Sequence, residues 1–216
     1  MIIIDPHIHS IYSGDATGTP NQILKKAISI GLNAIAIADH DTIQGSKIAE
    51  KEAKNFKNII VIPAMEISTS KGHIVALGIQ DEIKKGVTPH EAIDKIHEQA
   101  AVAIIPHPFV RYREGLFVKI QNLNADAIET LNSRYIFGYS NWRAEKFAKK
   151  KNLPMIGSSD AHFVAAIGSC FTQIDSEPDT DDILNAIKKG KTKPMGCRTP
   201  LSLILKEVIK KKIKKI

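Results

Sequence analysis

The segment DPHIHS (residues 5–10) follows a short apolar run, Met1 to Ile4, and sets two of the chain's eight histidines two residues apart. On an extended backbone such residues point to the same side, so His7 and His9 can converge on one object where a buried strand surfaces. A metal ion is that object, or the pair is simply hydrogen-bonded at a polar strand end. Four more histidines, His40, His73, His107 and His162, also fall at or just beyond the end of a predicted strand, or at the start of one after a tight turn. Asp5, Asp39, Asp41, Glu66 and Asp160 accompany them, whereas His90 and His97 lie in a predicted helix and read as solvated surface residues.

Each member has a structural reading of its own. His107, between Pro106 and Pro108, could cap a rigid turn, and Asp39 and Asp41 could cap the following helix, which is the preferred reading of Asp41. Glu66, in AMEIS, resists such a reading because burial of an unpaired carboxylate is costly. Imidazoles and carboxylates without thiolate suit zinc, manganese or iron. Two or three such ions side by side hydrolyse phosphate esters by activating water near neutral pH and neutralising phosphoryl oxygens. Cys170 and Cys197 form no CxxC pattern and imply neither a disulfide framework nor a thiolate zinc site.

The elements that must position these residues alternate along the chain. IIID, NAIAIAD, NIIVIPAMEIS, GHIVALGI, AVAIIPHP, DAIETLN and LPMIGSSDAH read as strands, with FTQI as a last short one, and the third and fourth are separated only by a TSK turn. Helices are predicted from TPNQ and TPHE, both with capping-box spacing, through KIAEKEAKNF and NWRAEKFAKKKN, and from PDTDDILNAIKKG. This alternation indicates an α/β fold, and a barrel in preference to an open sheet, because no Gly-rich phosphate loop follows the first strand. The C-terminal ends of parallel barrel strands meet at one face, where residues distant in sequence share a site.

Length and composition fit a globular domain at 1–199 followed by a basic tail at 200–216. LSLILKEVIKKKIKKI holds six lysines and one glutamate, a net +5 that leaves +2 of the chain's +7 to the first 200 residues. Leu201, Leu205, Val208, Ile209, Ile213 and Ile216 recur at helical spacing, so the tail reads as an amphipathic helix packed on the barrel or joining a homo-oligomer. No apolar stretch is long enough to span a membrane and the start lacks signal-peptide features, which makes the cytoplasm the expected compartment.

DPHIHS at 5–10, IADHDT at 37–42, PAMEIST at 63–69, GHIVALG at 72–78, PHPF at 106–109 and SSDAH at 158–162 together resemble the PHP (polymerase and histidinol phosphatase) family, in the family's order. The resemblance implies a distorted (β/α)7 TIM-like barrel with two or three divalent ions (Zn, Mn or Fe) at its C-terminal face. It implies that His7, His9, Glu66 and Asp160 hold one ion, that Glu66 bridges to a second completed by His73 and His107, and that Asp15, His40 and His162 serve a third. The expected activity is hydrolysis of a small phosphorylated metabolite or nucleotide by metal-activated hydroxide, with His162 or a water protonating the leaving oxygen. Arg111, Arg113 and Arg134, on the presumed rim, suit bidentate phosphate binding. Alternatives are a single-strand exonuclease or oligonucleotide phosphodiesterase and, in another class, a noncatalytic RNA-binding barrel. Retention of every ligand position weighs against the last. The 34-residue interval from His73 to His107 leaves no room for the small inserted domain of some nucleotide-acting relatives.

Overall fold

The structure, a computed structural model, describes residues 1–110, 113–135 and 138–205. Among the described residues, nine strands form one sheet: β1 (Ile2–Ile8), β2 (Ala34–Ile37), β3 (Ile60–Thr69), β4 (Gly72–Leu77), β5 (Val102–Ile105), β6 (Ala127–Asn132), β7 (Met155–Ser158), β8 (Cys170–Ile174) and β9 (Thr192–Gly196). Five helices intervene: α1 (Pro20–Ser29), α2 (Gln44–Ala53), α3 (Pro89–Glu98), α4 (Tyr139–Lys151) and α5 (Thr180–Lys188). The strand order is β7-β6-β5-β4-β3-β2-β1-β8-β9, and the sheet curls into a nearly closed barrel. β1, β2 and β3 run parallel, as do β5, β6 and β7. β4 runs against both β3 and β5, and β8 against β1; a tight hairpin joins β3 to β4, whereas α3 lies between β4 and β5.

Local chemistry sets the helix starts. Thr19 and Gln22 close a reciprocal capping box on α1, and Thr88 accepts the Glu91 N–H at the start of α3. The expected cap on α2 is absent. Asp41 instead accepts the Ser68 N–H at 2.8 Å, and Glu82 holds the Ile43 N–H at 3.0 Å at the head of α2. His97 is likewise no solvated surface residue. Its Nε2 lies 2.9 Å from Asp126 Oδ2, an atom that also accepts the Ala103 N–H, so the pair ties α3 to the start of β5. Strand β9 escaped the sequence reading because TKPMG carries a proline and no apolar run. It lies at the sheet's end, paired only with β8, where a missing N–H is tolerated.

Side chains sort by strand alternation. In β2, Ala34 and Ala36 face the barrel interior while Ile35 and Ile37 face α1 and α2. The interior is filled by Ile4, Ile62, Leu77, Ile104 and Ile156, with Ile183, Leu184 and Ile187 of α5 packed into the same cluster. β7 and β8 meet along the seam through a side chain: Thr172 Oγ1 accepts the Gly157 N–H at 2.9 Å and donates to the Gly157 carbonyl at 2.7 Å. A Cβ at residue 157 would stand 2.5 Å from the Phe171 carbonyl oxygen, so glycine permits this approach. Beyond β7, the His9 N–H reaches the Ala161 carbonyl at 2.9 Å and ties the site loop to the end of β1. Helix begins again at 201–205. The remainder of the expected tail helix, with Val208, Ile209, Ile213 and Ile216, lies outside the described residues.

Thr172→Val keeps the shape but strips both Gly157 backbone groups of their partner, so it should cost about 3 kcal/mol in urea unfolding, against about 1 kcal/mol for Thr19→Ala at the exposed α1 cap. Equal losses would mean that the seam bonds do not hold the barrel closed.

Candidate metal centre

The interior alternation turns from apolar to ionisable at one level of the barrel. On β3, Ala64 faces inward with Ile62 below it, and Glu66 takes the next inward place. On β6 the inward Ala127 is followed by Glu129. On β1, Ile4 faces inward and Ile8 outward, and the register against β2 shifts between Asp5 and Ile8. That irregularity re-aims the strand end so that His7 and His9, rather than Ile8, point into the site. Two further residues reach it from left-handed backbone, His107 (φ 30°) and Asp160 (φ 50°), a conformation that costs non-glycine residues on the order of 1 kcal/mol each.

Glu66 stands at the centre, fully buried. Its Oε1 lies 3.0 Å from His107 Nε2 and 3.1 Å from His73 Nδ1. Its Oε2 lies 3.2 Å from His40 Nδ1, 3.3 Å from His9 Nε2 and 3.5 Å from His7 Nε2, yet has no hydrogen-bond partner. The tautomers explain why. His7 Nδ1 is 2.7 Å from Glu129 Oε1, and a carboxylate only accepts, so the His7 proton sits on Nδ1. The Nε2 of a neutral His7 is then a lone pair, aimed at His9 Nε2 3.0 Å away, with Asp160 Oδ1 3.5 Å from His9. His7 Nε2, Glu66 Oε2 and Asp160 Oδ1, all acceptors, converge on His9 Nε2, and a divalent cation satisfies the whole set at once. The residues present therefore fit a metal centre.

Among the described residues, three candidate ligand groupings have their nitrogen and oxygen atoms within 4.8 Å of one another: His7, His9 and Glu66; His40, Glu66 and His73; and His9, Asp15, His40 and His162. Asp15 Oδ2 is 2.8 Å from His162 Nε2 and 4.0 Å from His40 Nε2. With protons as the only cations, burial by itself pushes the His7 imidazole down, but Asp160, Glu129 and Glu66 hold it well above its ordinary value. Burial raises Glu66 and Asp160, yet the surrounding cations, His7 for Glu66 and Arg113 and His7 for Asp160, keep both well below the usual carboxylate range. Burial, helped by His9 and Arg134, drives His162 down to about 3. It is thus neutral, with Nε2 2.8 Å from Asp15 Oδ2 and Nδ1 2.7 Å from Arg134 Nη1 and 3.1 Å from the Asp160 carbonyl oxygen.

The structure brings together His7, His9, Asp15, His40, Glu66, His73, His107, Asp160 and His162, around a cleft of about 300 Å³ that Arg113 and Arg134 also line. Arg113 pairs with Asp160 Oδ2, and Arg134 Nη1 lies 3.4 Å from Asp160 Oδ1. Arg111 lies outside the described residues. Two strand-end aspartates stand apart from the metal groupings and support backbone instead. Asp5 accepts the Ser159 and Gly168 N–H groups, and Asp39 accepts from the Ser10 N–H and hydroxyl. Burial lifts Asp5 to about 6.

Sequence reasoning missed the supporting shell. Glu129 receives His7 Nδ1, the Ser158 hydroxyl (2.6 Å), the His107 N–H (2.9 Å) and Asn132 Nδ2 (3.0 Å). Asn132 also donates to Asp160 Oδ2 at 2.9 Å, and Ser13 Oγ lies 2.9 Å from His9 Nδ1. The available signal for Glu129 was an acid amid the apolar run DAIETLN, the same feature that marked Glu66. Glu129→Gln places an amide N–H against at least one of these donors and should weaken Mn²⁺ binding about 10- to 100-fold by calorimetry, with the fold retained by circular dichroism. Unchanged affinity would remove Glu129 from the support of His7.

Comparison with known proteins accords with this geometry. Residues 5–83 match the PHP domain and residues 138–192 the PHP-associated family. An uncharacterized protein of Methanocaldococcus jannaschii is 37% identical over 147 residues, 63% of this chain and 85% of the relative. A 5′-3′ exoribonuclease of Haemophilus influenzae is 36% identical over 104 residues, 46% of this chain and 37% of its own length. Among solved structures, a two-domain protein of Bacteroides vulgatus containing a predicted PHP-like metal-dependent phosphoesterase superposes with a TM-score of 0.77 at 21% identity. That match covers 91% of this chain and 65% of the two-domain protein. With both segments matched in order and the strand-end histidines and carboxylates gathered on one barrel face, the chain belongs to the PHP family.

Proposed function

We propose that this protein is a metal-dependent phosphoesterase that hydrolyses a small phosphorylated metabolite or a nucleotide. The observation that carries the reading is Glu66, a buried carboxylate with two imidazole nitrogens near one oxygen and three near the other. Such a group is suited to bridging two ions. His7, His9, Glu66 and Asp160 would hold the first, Glu66, His73 and His107 the second, and Asp15, His40 and His162 a third. Divalent ions bound there supply Lewis acidity that activates water near neutral pH and offsets the charge of a phosphoryl group.

The chain's own residues do the rest. Glu129 orients His7 and the His107 backbone, and Asn132 steadies Asp160. Arg113 has a buried Nη1 without a hydrogen-bond partner, and Arg134 lines the same cleft, so both can donate to phosphoryl oxygens. His162, held neutral and hydrogen-bonded to Asp15, has no spare proton for a leaving oxygen, so in this reading a water in the cleft is the proton donor and His162 serves the third ion's site. A second reading, a single-strand exonuclease, is favoured by the likeness to the Haemophilus exoribonuclease. Among the described residues no helix is long and apolar enough to cross a membrane.

Elemental analysis of protein purified without chelator should find about two or three transition-metal ions per chain. A metal-free protein that refuses added Mn²⁺ or Zn²⁺ would reject the reading. Glu66→Ala and Asp160→Ala should each lower turnover of phosphate esters at least about a hundredfold with the barrel still folded, while His97→Ala, which breaks only the link from α3 to Asp126, should keep most of it. Near wild-type rates in the first two variants would mean that the chemistry occurs elsewhere.

A further inference from the structure

Helix α4 opens with two exposed aromatic rings, Tyr139 at 64% and Trp142 at 49% exposure. They stack with centroids 5.6 Å apart and planes inclined by 28°. Cations surround the stack: the Lys146 ammonium lies 4.3 Å from the Trp142 ring centre, and the Arg143 guanidinium 5.9 Å from that of Tyr139 and 4.4 Å from that of Phe109. The helix, YSNWRAEKFAKKK, carries five lysines and arginines against one glutamate.

This platform is fastened to the rim of the metal centre. Asn141 accepts the Asn132 N–H at 3.1 Å and donates to its carbonyl at 3.3 Å, while the Asn132 side chain bonds Asp160. Ser140 Oγ donates to the carbonyl of Phe109, two residues beyond His107. On the other side a cleft of about 550 Å³ opens, with Asn141, Trp142 and Arg198 among its walls, a volume in the range of small-ligand pockets.

Exposed stacked rings flanked by cations match what a single-stranded nucleic acid offers, since any base presents a π-face and each linkage a negative charge. We infer that the Tyr139–Trp142 platform holds a nucleobase of a single-stranded oligonucleotide, with Arg143 and Lys146 on its backbone and a neighbouring phosphate at the metal centre. The net positive charge of α4 favours a polyanion over an apolar protein surface. The place of that phosphate rests on the phosphoesterase reading, which the platform narrows to nucleic acid.

Trp142 is the chain's only tryptophan, so its fluorescence reports on this platform alone. Titrating the manganese-loaded full chain with single-stranded oligouridylate carrying phosphorothioate linkages should quench that emission to saturation. Ribose 5-phosphate, a phosphate without a base, should leave it unchanged. By anisotropy of the labelled strand, Trp142→Ala should bind at least about fivefold more weakly and Trp142→Phe should recover part of the loss. Absent quenching, equal quenching by ribose 5-phosphate, or an unchanged affinity of Trp142→Ala would overturn the inference, as would uridine 5′-monophosphate binding as tightly as the strand. Hydrolysis of bis(p-nitrophenyl) phosphate, which has neither base nor strand, tests the phosphoesterase reading separately. Turnover of that ester without oligonucleotide quenching rejects the platform and keeps the phosphoesterase; quenching without turnover does the reverse.

Discussion

A carboxylate buried at the centre of a barrel must be neutralised, and Glu66 states that requirement most sharply. Asp160 and Glu129 lie at the same depth, so three buried acids face the site. Protonation would relieve the cost of burial but would also remove the negative charge that suits the site to cations. The chain instead surrounds the acids with imidazoles and guanidinium groups, which hold them ionised well below the usual range or, for Glu129, below it. The arrangement trades stability for a preformed negative site, a cost that bound cations offset.

The barrel is built around that constraint. Small inward residues such as Ala34, Ala36 and Ala64 let the strands close tightly on the apolar layer, and the layer above them is almost wholly ionisable. The irregularity in β1 exists where a strict alternation from Ile4 would have turned His7 outward. The left-handed backbone at His107 and Asp160 serves the same end, because both residues lie beyond their strands and must turn back toward Glu66.

Much of this was legible in the sequence because the candidate ligands cluster where apolar runs stop. His7, His9, His40, Glu66, His107 and Asp160 announce themselves as polar residues at the ends of isoleucine-rich segments, and capping chemistry marks α1 and α3 without reference to anything distant. What stayed hidden depends on partners far along the chain. Glu129 is one more acid in a strand until His7, 122 residues away, is placed on it. His97 reads as surface until Asp126 meets it, and Asp41 reads as a cap until Ser68 does. β9 is defined by pairing with β8 rather than by its own composition.

The reversed strand β4 shows how topology and chemistry are joined. In a fully parallel barrel every ligand would come from a strand's C-terminal end, and the start of β4 would open on the opposite face. The β3–β4 hairpin reverses the chain just past Glu66, so the first residues of β4 lie level with the last of β3, with His73 opposite Ser68. His73 thereby reaches Glu66 Oε1 from the neighbouring strand, seven residues away along the chain. Gly72, at φ 138°, makes the turn possible, and the Glu114 carbonyl, which accepts the His73 N–H at 3.2 Å, crowds the place where a Cβ would stand. The segment that follows His107 is thus docked on the hairpin, and Arg113 within it reaches Asp160. A tight turn supplies within seven residues what a helical crossover would take several times that length to deliver: a second imidazole on the buried Glu66 carboxylate and a seat for the guanidinium that lines the cleft.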